Sequence, residues 1–154
     1  MSEHLASVVW NRNGQPFVDN RYSRAHHWRF DGGAEVLASP APSVVRPPMS
    51  DPTGVDPEEA FVASIASCHM LFFLSLAAKQ QLVVDSYHDD AVGTLGKNAA
   101  GRQAVLRVVL RPSITFAQGV VVSAEQVAAL HHESHALCFI ANSVTSEITV
   151  EPQL

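Results

Sequence analysis

The chain has 154 residues, 47% hydrophobic and 16% charged, with a formal net charge of −5. That length suits a single domain spanning residues 1–154 with a sizeable core, and the absence of any basic run interleaved with aromatics argues against nucleic acid as a partner. The opening "MSEHLASVVW" has no charged stretch followed by an apolar one, which argues against a secretory leader and for a cytoplasmic protein.

In chain order, residues 4–10 ("HLASVVW") read as a strand, and Asn13-Gly14 supplies the positive-φ tolerance of a turn. "FVDNRYSRAHHWRF" reads as one or two further strands, and "AEVLAS" as another. Six prolines in "PAPSVVRPPMSDPTGVDP" rule out helix or central strand there, leaving a loop in which "SVVR" is extended. A helix then starts on Asp56-Pro57-Glu58-Glu59, where Asp56 caps, Pro57 suits the first helical position and Glu59 completes a capping box. It runs to about Lys79. Residues 60–78 carry no formal charge over 19 positions, long enough for a bilayer. Ser64, Ser67, Ser75, His69 and the capped start favour a buried core helix instead, with no membrane as a partner. "LVVDSYHDDAVGTLG" and "AVLRVVLRPSITF" read as two strands joined through "KNAAGR". The second puts Val105, Arg107, Val109 and Arg111 on one face and Leu106, Val108 and Leu110 on the other. Ser123 and Gln126 form a second capping box, opening a helix that ends near Cys138, and "TSEITVEP" is a closing strand. The pattern is α+β: β-rich segments around a buried helix.

The chain has two cysteines, Cys68 and Cys138. In a reducing compartment such thiols are free, catalytic or redox-sensing. The thiolate is the working form, and an apolar helix opposes it by disfavouring charge. Cys68 lies about three turns into its helix, beyond the reach of the N-terminal dipole. A reactive Cys68 therefore needs a cation brought from elsewhere; an inert Cys68 is a small packed hydrophobe. Cys138, at a helix C-terminus facing carbonyl ends, is the poorer attacker and the better resolver. Peroxide chemistry on such a pair runs through a Cys68 sulfenic acid that Cys138 condenses to a disulfide.

"VDPEEAFVASIASCHMLFFLSLAA" resembles the first-cysteine helix of the OsmC/Ohr family (osmotically inducible protein C and organic hydroperoxide resistance proteins). That family shows an Asn/Asp-Pro-Glu start with a cysteine ten residues after the glutamate, and Glu58 and Cys68 keep that spacing. "HHESHALCFIANSVTSEITV" resembles its second-cysteine segment, and the order of elements agrees along nearly the whole chain. The resemblance implies an OsmC-like fold, with antiparallel sheets packed around a long central helix in an intertwined homodimer. It implies a peroxiredoxin-like hydroperoxide reductase with no haem, metal or other cofactor, acting on organic hydroperoxides in oxidative-stress defence and recycled by an external dithiol. By motif, Cys68 is the peroxidatic thiol, Cys138 the resolving one, and Glu58 the carboxylate that holds a thiolate-polarising arginine. Arg24, 44 residues before Cys68, sits close to where the hydroperoxide-resistance branch carries that arginine and is favoured over Arg46, nearer its place in the osmotically inducible branch. Ten helical residues span ~15 Å and leave Cys68 about 80° from Glu58 around the axis. Glu58 therefore acts through the arginine, or serves the cysteine of a second subunit.

Three features depart from the better-known branches: Phe139 stands where a proline commonly follows the second cysteine, His69 follows Cys68, and the second helix carries His131, His132 and His135. These mark a side branch. His131 and His135, four apart, can share a metal, with Cys138 along the same stripe; the bland alternative is ordinary helix-face histidines. His69 and His135 are candidates for hydrogen bonds that tune the thiols, although His69 lies about 100° around the helix from Cys68. His26, His27 and His88 read as ordinary strand or loop residues. Phe61, Ile65 and Phe72 are candidates to line an alkyl pocket, with core packing as their default. Two other classes stay open: a non-catalytic module of the same fold that binds an apolar ligand or a metal, and an interaction protein with inert cysteines.

Overall fold

Residues 1–153 are described by the computed structural model. The chain divides into two units, Met1–Ala60 and the residues from Phe61 onward. In the first, β1 (Ala6–Val9), β2 (His26–Phe30) and β3 (Glu35–Ala38) form an antiparallel meander. Ala6 faces Phe30 across one pair and His26 faces Ala38 across the other. Asn13 and Gly14 take the positive φ values expected of their turn, 50° and 78°. Of "FVDNRYSRAHHWRF" only the end is a strand. Its first half curls into an aromatic knot, with Phe17 stacked on Tyr22 at 4.6 Å and Trp10 edge-on to Tyr22 at 5.5 Å.

The proline-rich loop contains no strand, and "SVVR" is a turn rather than extended. The N–H groups of Val44 and Val45 both donate to the Ala41 carbonyl at 2.9 Å. Pro42, next after Ala41, pre-sets the φ that a turn needs there. The loop returns to β3, where Val55 bridges Ala38 and the buried Ser39 hydroxyl accepts the Asp51 N–H at 2.8 Å. Helix α1 (Pro57–Lys79) then starts as its sequence dictates. Asp56 Oδ1 accepts the Glu59 N–H at 2.7 Å, and the Glu59 carboxylate accepts the Asp56 N–H at 3.1 Å.

The second unit holds β4 (Val84–Asp89), β5 (Val92–Lys97), β6 (Gln103–Leu110), β7 (Pro112–Phe116), α2 (Ala124–Leu137), a 3-10 turn (Ala141–Ser143) and β8 (Glu147–Val150). The two long strands expected after α1 are each broken once. Their outer halves pair as β4–β7 and their inner halves as β5–β6. At the corner Asp89 Oδ1 accepts the Arg111 N–H at 2.6 Å, and Pro112, lacking an N–H, starts the new pairing. These pairs are antiparallel; β8 joins β6 in parallel. The alternation of β6 fails at its end, where Val108, Val109 and Leu110 are buried in succession because both faces are covered.

α1 lies across this sheet. Ile65 packs with Val108 and Leu110, while Phe73, Leu76 and Ala77 meet Leu130 of α2. Gly93 of β5 lies close under the helix: a Cβ there would stand 2.5 Å from Val62 Cγ2 and force that side chain to shift. By length and a mean hydropathy of 1.9, α1 passes as a bilayer span, but its buried positions Ile65, His69, Phe73 and Leu76 form one core-facing stripe. Ala63, Ser64, Ser67, Leu71, Ser75 and Ala78 are exposed. The result is the expected α+β arrangement of antiparallel sheets with a long helix.

Candidate thiol site

Cys68 arrives on the middle of α1 and Cys138 on the last cap of α2. The α2 start is the expected capping box: Ser123 Oγ accepts the Gln126 N–H at 3.2 Å and Gln126 Oε1 accepts the Ser123 N–H at 2.9 Å. At the other end the Cys138 N–H donates to Ser134 O at 2.9 Å and His135 O at 3.3 Å, which closes the helix on the cysteine. The chain then folds into the 3-10 turn, and the Ala141 N–H points back at Cys138 Sγ at 3.3 Å. Both thiols are free, Cys68 half-buried and Cys138 buried. Cys68 is near enough to influence the Cys138 thiol although 70 residues separate them in sequence. Burial pushes the Cys138 thiol up, as do its hydrogen bond toward Cys68 and negative charge on Cys68; the Ala141 and Ile140 N–H groups pull it back only in part. Cys138 therefore keeps its proton. This agrees with the weaker-attacker expectation, but burial rather than the helix end is the main cause.

The apolar candidates separate. Ile65 is fully buried with Val108 and Leu110, and Phe61, partly buried, packs against the same cluster. Phe72, one turn past Cys68, stays partly exposed and edge-on to Phe139 at 5.1 Å, and Phe139, next after Cys138, is 72% exposed. A proline in place of Phe139 would lack that ring.

His69 and His131 meet each other. His69 Nε2 and His131 Nδ1 are 3.0 Å apart, buried at 1% and 4% exposure, with Phe73 against His131 at 4.6 Å. Burial pushes both imidazoles down to about 4, helped at His69 by His131 and His135. Both are thus neutral at pH 7. The sequence pattern couples His131 to His135, with His69 able to reach that stripe only by folding; the fold brings His69 to His131 itself. The available signal was that His69 follows one cysteine while His131 precedes the other by two helical turns. Among the described residues no group of three His, Cys, Asp or Glu side chains converges as a metal site. His88 pairs with Asp90 at 3.0 Å on the surface, and His26 and His27 lie in β2.

The remaining site candidates lie in the first unit. The Arg24 guanidinium sits 4.2 Å over the Tyr22 ring and donates to Tyr22 O at 2.9 Å and Asn20 Oδ1 at 2.6 Å. Its backbone N–H donates to Met49 O at 2.9 Å, and the Met49 N–H donates to Arg46 O at 3.1 Å. The two candidate arginines therefore border the same turn. Glu58, half-buried in the first turn of α1, makes no ion pair with either among the described residues.

Residues 50–153 match the family model described as OsmC-like protein. No curated protein matches the chain. Among solved structures, an OsmC-like protein of unknown function from Vibrio cholerae is 53% identical, with a TM-score of 0.97, covering 99% of this chain and 100% of its own. An organic hydroperoxide resistance protein OsmC from Legionella pneumophila (15% identity, TM-score 0.73, 100% and 98% covered) shares the fold. So does the organic hydroperoxide resistance protein OhrB of Bacillus subtilis (18% identity, TM-score 0.68, 99% and 98% covered).

Proposed function

The chain belongs to the OsmC-like family, and from that premise we propose that it is a cysteine-based peroxidase for organic hydroperoxides. The Cys68 thiolate attacks one peroxide oxygen, the O–O bond breaks, and the alkoxide leaves with a proton as the alcohol. Cys68 is left as the sulfenic acid. The Cys138 sulfur then attacks Cys68; its proton and the departing hydroxide leave as water, and a disulfide forms. An external dithiol returns both thiols to the reduced form. The observation that carries this reading is the meeting of Cys68 and Cys138 with unequal burial: the accessible thiol is suited to attack and the sealed one holds its proton until needed.

Phe72 and Phe139 offer an apolar, part-open rim that suits an alkyl or aryl hydroperoxide better than hydrogen peroxide. Arg24, with Arg46 beside the same turn, supplies the cation, and Glu58 orients it. The uncovered side of α1 (Ala63, Ser67, Leu71, Ser75) is the face that a second copy covers in a homodimer, because a helix this apolar needs cover on more than one side. A cytoplasmic location fits the reliance on free thiols. The alternative, a non-catalytic module taking an apolar ligand, draws on the same rim. Cumene hydroperoxide with a count of free thiols separates the two. Loss of two thiols per chain, abolished in Cys68→Ser, is expected of the peroxidase; an unchanged thiol count rejects it.

A further inference from the structure

α1 and α2 are tied by a ladder of side chains. Leu130 packs on Phe73, Leu76 and Ala77; His131 bonds to His69; Cys138 meets Cys68; Phe139 meets Phe72. From Leu130 through His131 to Cys138 the partners step back along α1, so the helices run in opposite senses across this contact; Phe139, past the end of α2, meets Phe72. Only one rung is a directional bond between two buried side chains, the 3.0 Å contact from His69 Nε2 to His131 Nδ1. With both rings neutral, one nitrogen donates and the other accepts, and the rings lie within 12° of parallel. The outer nitrogens, His69 Nδ1 and His131 Nε2, are buried without partners among the described residues. Two apolar rings would fill the same space with no orphaned nitrogen. Packing alone therefore does not account for imidazoles here; a bond of fixed length and direction does.

We propose that the His69–His131 bridge is a positioning clasp for the thiol pair, fixing α2 against α1 in the register that brings Cys138 to Cys68. The proposal rests on the thiol-pair reading above and adds residues that touch neither sulfur nor peroxide. His69 is the next residue after Cys68. His131 and Cys138 lie seven residues apart, two turns along one face of α2, with the buried Ser134 between them. A slip at the bridge is therefore carried rigidly to the sulfurs. Hydrophobic rungs tolerate such slips because their contact energy has little direction, whereas a short hydrogen bond does not.

The test is the thiol–disulfide equilibrium of Cys68 and Cys138 in glutathione buffers, read on His69→Phe, His131→Phe and the double variant that keep their circular dichroism. The effective concentration of one thiol at the other is expected to fall about tenfold in either single variant. The double variant should fall no further, because both changes break one bond. A role confined to stability would lower the melting temperature and leave this equilibrium in place, which overturns the clasp. Should the variants not fold, ¹⁵N spectra of the wild-type imidazoles decide: a His69–His131 coupling across the hydrogen bond, with ring shifts that change when the disulfide forms, is expected. Identical ring nitrogens in both redox forms reject the clasp. A wild-type chain that forms no Cys68–Cys138 disulfide overturns the thiol-pair reading and the clasp together; one that forms it while the folded variants keep its equilibrium overturns the clasp alone.

Discussion

Two pairs of side chains join the same two helices, and their environments differ. The thiols pair a half-buried residue with a sealed one; the imidazoles are both sealed. Cys68 and His69 are neighbours in sequence, yet one helical step of about 100° takes the chain from a reachable position into the core. The contrast teaches what burial does to each chemistry. A thiol pair can share the work unequally, with the accessible member attacking and the buried one holding its proton. An imidazole pair buried on both sides has no route to solvent and stays neutral, which suits structure rather than acid–base exchange.

The largest effect that sharpens this contrast is at Cys138. In Cys138→Ser, cumene hydroperoxide should consume one thiol per chain rather than two, with Cys68 trapped as a dimedone-reactive sulfenic acid; two thiols still lost would mean that Cys138 is not the resolver. Next comes the charge that the thiols need and the imidazoles do not. Arg24→Ala is expected to slow Cys68 oxidation by about 10²-fold, the scale of removing one positioned charge, with the imidazole shifts unchanged. A rate equal to wild type transfers the role to Arg46.

The third test acts on the imidazoles alone. Their native values near 4 lie below the ordinary 6.5, so their contribution is fully present above pH 6.5 and is lost as the pH falls toward 4. Each depressed imidazole corresponds to on the order of 3 kcal/mol across that window. Urea unfolding between pH 7 and pH 4 should show this loss, and His69→Phe should flatten it; an unchanged slope would mean that the pair is not sealed. The smallest effect is Ser123→Ala. Loss of the α2 cap should cost about 1 kcal/mol of unfolding free energy, read in urea, and act on both pairs alike, since one helix presents His131 and Cys138.

Much of this molecule was legible in its residues. Both capping boxes fell where Asp56 with Glu59, and Ser123 with Gln126, placed them, because a helix start is satisfied by side chains at most three positions away. The α+β order followed from hydrophobic periodicity. The misses share a cause. "SVVR" turned because Pro42 lies beside it, and the two long strands broke because pairing partners change at Asp89 and Arg111. Ile65 took its default place in the core, against Val108 and Leu110 of β6.

The sequence by itself determined where α1 and α2 begin and end and which residues are strand formers. Those are properties of neighbours along the chain. Only the tertiary structure decided that Cys138 comes near Cys68 and that His69 bonds to His131. Side-chain partners 62 and 70 residues apart are set by how two helices cross, and a crossing is fixed by packing from all sides at once, which no local pattern encodes.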